Sequence, residues 1–299
     1  MRGRVPILSK KELSGLGPKQ RLDEGGFGIV TKLVYEGKEA VMKELKAAHA
    51  LHPLLREARL MVEVGGAGGV PQVLALCLHP PAMVQEFVGE TYATYMKKCS
   101  VGGALDSLVA IAHRLQEVHG KGVVHNDVYE KNITYTGDVH QPVFHLIDLG
   151  LSCHVGQIPG KCLFQGRDTP QEVTVASGPP HPLAAGDHDY RTEGDLEGFS
   201  GFWQAPEVLL YRPVFPSSDV YGFGVLMQNM AFMCSHTFLT DPLRDVAKSC
   251  IFRDPRRRCS LARVTQAITA LRDTLRPHQL NASLICWNGE NKRFTSKSS

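Results

Sequence analysis

The feature of this sequence that most constrains its fold is a change of hydrophobic pattern near residues 88–89. The preceding part contains short β-prone runs, and those at 29–35 and 40–43 flank a turn-forming tetrapeptide, as in a β-hairpin. The following part contains apolar residues at helical spacing, most clearly over 105–119 and 219–233. This order predicts an α+β fold in which a small strand-rich part precedes a larger helical part.

The composition argues against several classes of protein. The 299 residues are 43% hydrophobic and 21% charged, which is ordinary for a globular chain and argues against wholesale disorder. No apolar run approaches the roughly 20 residues that a membrane-spanning helix needs. The net charge of +3 is too small to indicate nucleic acid as a partner. We therefore expect neither a membrane span nor nucleic-acid binding, and the oligomeric state is left open.

The cysteines indicate a cellular setting. Eight are present, and no Cys-x-x-Cys pair occurs among them, which argues against a zinc ribbon or a disulfide scaffold. Reduced thiols are typical of cytoplasmic and nuclear proteins. We therefore expect a cytoplasmic protein, and access to the nucleus stays open.

A glycine-rich turn at 25–30 leads into a strand and a hairpin. A dinucleotide-binding turn or a P-loop would lead from a strand into a helix, so neither motif fits. Glycine has no side chain that could obstruct the approach of a ligand to the backbone N–H groups. Gly25 and Gly28 would therefore let such a hairpin close over the phosphates of a nucleotide. Phe27 between them would cap the loop.

A lysine and a glutamate follow this turn at a spacing that suggests an ion pair. Lys43 ends the run at 40–43, and apolar residues at helical spacing predict a helix over 52–64. Glu57 lies on that helix, whereas Glu63 falls on a largely different face of it. An ammonium group held opposite Glu57 is suited to grip the α- and β-phosphates of a nucleotide.

Three polar residues in the helical part suggest phosphoryl transfer. Asp127 and Asn132 follow an apolar run, and Asp148 ends a β-prone run as Asp-Leu-Gly. The reaction needs a carboxylate that orients the attacking hydroxyl group, together with oxygen ligands that hold Mg²⁺ on the phosphates. Asp127 is the candidate for the first role, and Asn132 and Asp148 are the candidates for the second.

Taken in order, these motifs resemble those of the eukaryotic protein kinase domain between residues 21 and 275. The tripeptide at 205–207 matches the Ala-Pro-Glu motif of that family, and residues 254–258 resemble its late Asp-Pro-x-x-Arg motif. The resemblance implies a buried ion pair between Glu207 and Arg258.

The resemblance also implies the bilobal protein kinase fold. A small, β-rich N-lobe would cover residues 21–88, and a larger helical C-lobe would cover residues 89–276. A long activation segment would run through 148–207 inside the C-lobe. A short basic lead-in at 1–20 and a polar tail at 277–299 would flank the two lobes.

Cofactors and residue roles are implied in the same way. ATP and Mg²⁺ would be the cofactors, and a protein would be the substrate. Lys131 would reach the γ-phosphate, close to the other residues implied in catalysis, which are Asp127, Lys43 and Glu57. The residues implied in ATP binding are Gly25, Gly26, Phe27, Gly28, Val30, Lys43, Glu86 and Val88, and the implied Mg²⁺ ligands are Asn132 and Asp148.

Several positions depart from the family pattern. Asp23 replaces the first glycine of the phosphate-covering loop, Asn126 replaces an arginine, and Tyr129 replaces a lysine that marks Ser/Thr kinases. Lys131 points weakly towards tyrosine kinases, whereas Ser200 resembles the hydroxyl residue that Ser/Thr kinases carry before Ala-Pro-Glu. We therefore favour serine and threonine over tyrosine as acceptors.

Two other functions fit part of this pattern. The substitutions at 23, 126 and 129 suggest a pseudokinase that acts as a nucleotide-binding or scaffolding module. The His-Asn-Asp sequence with its downstream Asn also resembles small-molecule kinases, but those enzymes lack the Ala-Pro-Glu segment present here. An ATP-dependent protein kinase is the leading hypothesis, and the pseudokinase is the alternative.

Overall fold

A computed structural model describes residues 5–17, 19–24, 28–46, 51–159 and 203–285 of the chain. Within these ranges a strand-rich lobe is followed by a mainly helical lobe, so the predicted α+β, bilobal fold is confirmed. Four residues with predicted roles lie outside the described residues, namely Gly25, Gly26, Phe27 and Ser200.

The N-lobe contains a six-stranded sheet in the order β1-β5-β6-β4-β3-β2. The pairing of β1 with β5 is parallel, and the other pairings are antiparallel. The elements are β1 (Ile7–Leu8), α1 (Lys10–Ser14), β2 (Gln20–Glu24), β3 (Gly28–Tyr35), β4 (Lys38–Leu45), α2 (Leu51–Val64), β5 (Val73–Cys77) and β6 (Ala82–Glu86).

The N-lobe begins earlier in the chain than the sequence predicts. Residues assigned to a lead-in form β1 and α1, and Leu13 of α1 is only 3% exposed against the sheet. Ser9 and Glu12 form a capping box at the start of α1. A two-residue strand and a five-residue helix are too short to show a hydrophobic period, which is why the pattern did not reveal them.

The register of the central hairpin places Lys43 on the inner face of the sheet. Strands β3 and β4 pair along their whole length, with Val30 opposite Lys43. Lys43 in turn lies opposite Met83 of β6, which is fully buried. Directly opposite residues of antiparallel strands share a face, so these three side chains point to the same side.

The C-lobe is built from helices with two small sheets beside them. Its sheets have the orders β10-β9-β7 and β11-β8. The elements are β7 (Glu90–Thr91), α3 (Tyr92–Met96), α4 (Val101–His119), β8 (Val123–Val124), β9 (Ile133–Thr136), β10 (Val143–Leu146), β11 (Cys153–His154), α5 (Pro206–Leu209), α6 (Pro216–Met233), α7 (Thr237–Lys248), α8 (Leu261–Thr274) and α9 (Pro277–Leu280).

Helix α6 lies in the centre of the C-lobe, because apolar residues occupy nearly all of its faces. Fully buried side chains from α4, α6 and α7 form one core, for example Leu108, Phe223 and Leu243. The start of the predicted polar tail packs on this lobe, since α9 forms and Leu284 is fully buried. None of the described helices has the length and apolar character needed to span a membrane.

Candidate active site

The site is centred on Lys43, which joins the two lobes through ion pairs. Its Nζ lies 3.0 Å from Oε2 of Glu57 on α2 and 3.1 Å from Oδ1 of Asp148, which follows β10. Glu57 reaches this position because it belongs to the buried face of α2, together with Leu54 and Met61. Strand, helix and the segment after β10 thus meet at one ammonium group.

The charges of this cluster perturb one another. Burial alone would lower the pKa of Lys43, but the carboxylates of Glu57 and Asp148 outweigh it and raise that pKa above its ordinary value. Burial raises the pKa of Glu57 to about 7 despite the attraction of Lys43, whereas Lys43 overcomes burial to lower the pKa of Asp148. Asp148 therefore stays a carboxylate, and its side chain is 43% exposed towards the cleft.

The segment that carries Asp127 is fixed by a buried carboxylate of α6. The side chain of Asp219 accepts hydrogen bonds from the backbone N–H groups of His125 at 2.8 Å and Asn126 at 2.7 Å. Asn126 has a φ of +66°, a left-handed conformation that asparagine tolerates better than most residues. Its side-chain amide donates to the carbonyl of Leu151 at 3.0 Å, which ties this segment to the chain beyond Asp148.

Both carboxylate oxygens of Asp127 accept hydrogen bonds. Oδ2 accepts from Nδ2 of Asn132 at 2.6 Å. Oδ1 accepts from Nε1 of Trp203 at 2.7 Å and from Nε2 of Gln204 at 3.2 Å. The indole of Trp203 also stacks on the ring of Tyr129, with 4.2 Å between the centroids. The carboxylate of Asp127 is thus held in one orientation by Asn132, five residues later, and by Trp203 and Gln204, just before α5.

Asn132 and Asp148 are brought together by the pairing of β9 with β10. The N–H of Ile147, just before Asp148, donates to the carbonyl of Asn132 at 3.0 Å. The amide nitrogen of Asn132 is engaged with Asp127, which leaves its side-chain oxygen as a ligand. Amide and carboxylate oxygens are the donors that Mg²⁺ prefers. The donor set therefore fits a magnesium ion.

The residues predicted to bind ATP lie along the cleft side of the N-lobe. Gly28 begins β3, where a Cβ would collide with the carbonyl oxygen of Glu44, so the close pairing of the strands also requires glycine there. The N–H of Glu86 donates to Gln72 at 3.1 Å. Within the described residues, Val88 forms no backbone hydrogen bond, so its N–H and carbonyl are available to a ligand.

Lys131 differs from the other predicted catalytic residues. Its side chain is exposed, and it donates no hydrogen bond to any residue that the structure describes. Its predicted contact with the γ-phosphate stays a prediction.

Two side chains of the site were not found from the sequence. Arg56 donates through Nη1 to the carbonyl of Ser152 at 2.7 Å and through Nη2 to the carbonyl of Gly150. Trp203 supplies the indole that binds Asp127. For Arg56, its position next to Glu57 in the sequence could have indicated a place near the site. For Trp203, nothing in the surrounding sequence pattern indicated a contact with Asp127.

The ion pair between Glu207 and Arg258, which the family resemblance implies, is present. Nη1 of Arg258 lies 2.6 Å from Oε1 of Glu207, and Nη2 lies 2.8 Å from Oε2. Both side chains are buried, and Ser218 adds a hydrogen bond to Oε1 of Glu207 at 2.7 Å. The bidentate pair anchors α5, which follows Trp203 and Gln204, to the core of the C-lobe.

Comparisons of the sequence with known proteins find a family and two relatives. A probable serine/threonine-protein kinase of Dictyostelium discoideum is 25% identical over 225 residues, which are 72% of this chain and 21% of that protein. Fibroblast growth factor receptor 1 of Dugesia japonica is 25% identical over 241 residues, which are 70% of this chain and 23% of the receptor. The aligned region is thus less than a quarter of either relative. A family model described as protein tyrosine and serine/threonine kinase matches residues 16–166, half of the sequence. The chain therefore belongs to the protein tyrosine and serine/threonine kinase family.

Proposed function

We propose that this chain transfers the γ-phosphoryl group of ATP to a hydroxyl group of a protein, with serine and threonine favoured over tyrosine. The observation that carries the proposal is the position of Lys43 Nζ, 3.0 Å from Glu57 and 3.1 Å from Asp148. An ammonium group fixed in this way is suited to bind phosphate oxygens beside a metal site, because its own position is set before the ligand arrives.

The other residues then take complementary roles. The free backbone groups of Val88 would bind the adenine edge, and Lys43 would bind the phosphates. Mg²⁺ held by Asp148 and Asn132 would neutralise charge on the phosphate oxygens. Asp127 would accept a hydrogen bond from the attacking hydroxyl group and orient it towards phosphorus.

The preference for serine and threonine is supported by the sequence. Ser200 precedes the Ala-Pro-Glu motif at the position where the family's Ser/Thr members carry a hydroxyl residue. One of the relatives above is itself named a probable serine/threonine-protein kinase. The replacement of the family's lysine by Tyr129 weighs against this preference, so the acceptor must be measured.

One observation favours the alternative of a nucleotide-binding or scaffolding module. Trp203 and Gln204 already donate to Oδ1 of Asp127, and Asn132 donates to Oδ2. A substrate hydroxyl group would have to share or displace these donors. A chain in which they stay in place would bind nucleotide without transferring phosphate.

The deciding experiment incubates the purified chain with Mg-ATP and a pool of peptides that contain Ser, Thr and Tyr. Phosphorylated residues are identified by mass spectrometry, and nucleotide binding is measured separately with a fluorescent ATP analogue. The variants are Asp127→Asn, Lys43→Met and, as a matched control, Lys38→Met. Lys38 lies on the same strand as Lys43 but is exposed.

We expect transfer to Ser and Thr peptides by the wild type and by Lys38→Met. Asp127→Asn should bind nucleotide without transfer, and Lys43→Met should lose transfer and much of the nucleotide affinity. Nucleotide binding without transfer by the wild type would favour the scaffolding module. Absence of both binding and transfer in a folded wild type would contradict the kinase and the nucleotide-binding module, and would favour a scaffold that works without nucleotide.

A further inference from the structure

Two cysteines of the C-lobe lie close to each other, near the ends of α7 and α8. Cys250 follows α7, Cys259 precedes α8, and their Sγ atoms are 3.6 Å apart. We propose that Cys250 and Cys259 form a redox-active dithiol that hydroperoxides convert into an intramolecular disulfide. This proposal is independent of the proposed phosphoryl transfer, since it concerns a different part of the molecule.

The backbone already holds the two residues in a suitable arrangement. The N–H of Cys259 donates to the carbonyl of Ser249 at 3.1 Å, so the two chain segments run side by side. A disulfide has an S–S distance of about 2.05 Å, so the sulfurs need to approach by about 1.5 Å. Rotation of side chains can supply such a movement without separating the paired backbones.

Packing assigns most of that movement to Cys259. Cys250 is fully buried, and a Cβ built on Gly224 of α6 would lie 2.6 Å from the Cβ of Cys250. Helix α6 therefore supports Cys250 from behind. Cys259 is only partly buried, so its sulfur is the one that a small oxidant in solution can reach.

The surroundings also give the two sulfurs different chemistry. The Cys259 sulfur lies 3.6 Å from the thiol of Cys250 and 3.1 Å from Oγ of Ser249, and both groups can donate to it. These hydrogen bonds, helped by the positive charge of Arg263, lower the pKa of Cys259. The pKa of Cys250 is raised by its contact with Cys259 and by burial. Cys259 is thus the nucleophile, because the thiolate is the reactive form of cysteine.

The reaction balances with a hydroperoxide as the oxidant. With hydrogen peroxide, the Cys259 thiolate attacks one oxygen, the O–O bond breaks, and hydroxide leaves and takes up a proton as water. The resulting sulfenic acid is attacked by Cys250, the S–O bond breaks, the S–S bond forms, and a second water carries away the thiol proton. Two thiols are oxidised by two electrons and one peroxide is reduced. Small thiols reverse the change by exchange.

The other described cysteines offer a contrast. Cys77, Cys99 and Cys153 are buried. Cys234 is partly buried, like Cys259, and its sulfur contacts the backbone of His236 at 3.4 and 3.7 Å. Cys234 is therefore the control for a partly buried thiol outside the Cys250–Cys259 pair.

The experiment uses the wild-type chain, folded and fully reduced at the start. It is titrated with hydrogen peroxide, and the remaining thiols are then blocked with an alkylating reagent before digestion with trypsin. Cleavage after Arg253 and Arg258 places the two cysteines in separate peptides, 249–253 and 259–263. A disulfide between them therefore appears as one cross-linked peptide that small thiols separate again.

We expect this cross-link to be the first disulfide formed, about tenfold faster than any oxidation of Cys234. It should persist in Cys234→Ser and be absent in Cys259→Ser, which should also lose its peroxide-reactive thiol. Oxidation of Cys259 to a sulfinic acid without the cross-link would overturn the proposal. So would a cross-link that forms only after the chain has been unfolded in urea. Since the readout comes from the wild type, the test does not depend on the folding of a variant.

Discussion

Nε1 of Trp203 donates a hydrogen bond to Oδ1 of Asp127 over 2.7 Å, and its indole ring stacks on Tyr129. Trp203, two positions before the Ala-Pro-Glu motif, thus contacts the carboxylate that is proposed to orient the substrate. A hydrogen bond to a charged group is worth about 1.5–3 kcal/mol. The indole and the acceptor hydroxyl group therefore compete for the same oxygen.

Trp203→Phe should increase phosphoryl transfer. Phenylalanine keeps an aromatic ring against Tyr129 but removes the shorter of the two hydrogen bonds to Oδ1 of Asp127. Part of the hydrogen-bond energy then becomes available to the substrate, so we expect kcat/KM for a peptide to rise about three- to tenfold. Initial rates at peptide concentrations well below KM measure this change.

The control for this prediction is Tyr129→Phe, which keeps the stacked pair and leaves all donors to Asp127 in place. It should change kcat/KM by less than about twofold. A loss of about tenfold or more in Trp203→Phe would show that the indole positions Asp127 instead of competing with substrate. Inactivity of the wild type and Trp203→Phe alike would favour the scaffolding function.

Glu207→Gln should destabilise the C-lobe and change its response to acid. Burial alone would raise the pKa of Glu207, but the hydrogen bonds and charge of Arg258 lower it below its ordinary value. The stability that comes from this lowered pKa is present above the pKa of the unfolded carboxyl and is lost as the pH falls through the folded pKa. Breaking a buried pair by removing one partner costs about 3–5 kcal/mol. Urea unfolding at neutral pH and at several acidic values measures both effects.

The comparison for Glu207→Gln is Arg256→Gln, which breaks an exposed pair with Asp254 nearby. Arg256 is 88% exposed, so Arg256→Gln should lower the free energy of unfolding far less than Glu207→Gln does. The acid dependence of Glu207→Gln should be weaker than that of the wild type. An unchanged dependence would mean that Glu207 does not titrate below its ordinary range in the folded chain.

The turn between α2 and β5 should tolerate no side chain at Gly68. Its φ is +72°, its N–H donates to Glu117 at 2.8 Å, and a Cβ would lie 2.5 Å from Cγ2 of Val118. Gly122 has a φ of +74° with nothing within 4 Å of a Cβ. Gly122→Ala thus meets the backbone strain alone, about 1–2 kcal/mol, whereas Gly68→Ala should lose about 1–3 kcal/mol more from overpacking. Equal urea midpoints for the two variants would contradict this.

The features of the structure that could be predicted from the sequence are those that depend on short-range patterns. The hairpin pattern predicts a strand that ends in Lys43, and the structure has this strand but continues it to Leu45. Helical spacing places Glu57 rather than Glu63 on the inner face of α2. Their 14-residue separation is bridged by one strand and one helix, so local geometry is sufficient to bring them together. The structure places Glu63 beside His154 instead, at 2.9 Å.

The parts that sequence reasoning missed depend on the packing of distant segments. Trp203 reaches Asp127 across 76 residues, and Arg56 reaches Ser152 across 96. No periodicity within either segment encodes such a contact. Cys250 and Cys259 are only nine residues apart, but their sulfurs meet because the chain between them turns back on itself. Spacing alone did not distinguish this pair from the other cysteines.

Arg56→Met should reduce phosphoryl transfer without unfolding the chain. Arg56 precedes Glu57 on α2 and binds the carbonyls of Gly150 and Ser152, so one turn of helix holds both Lys43 and the backbone beyond Asp148. Methionine keeps the aliphatic stem but leaves these carbonyls unpaired, which loosens Asp148 relative to Lys43. We expect kcat/KM for ATP to fall about 10–100-fold, since small misplacements of catalytic groups have effects of this size. Steady-state kinetics and thermal unfolding of the same samples separate activity from stability.

The control for Arg56→Met is Glu63→Gln, which removes the charge from a second contact between α2 and the segment after Asp148. Glu63 and His154 are 2.9 Å apart, but their side chains are 43% and 41% exposed, so this pair contributes little. Glu63→Gln should therefore change kcat/KM by less than about twofold. Equal losses in both variants would mean that both links between the two elements are needed. Full activity of Arg56→Met would mean that the ion pairs of Lys43 hold Asp148 unaided. The expected difference between the variants would instead assign the positioning of Asp148 to the guanidinium of Arg56.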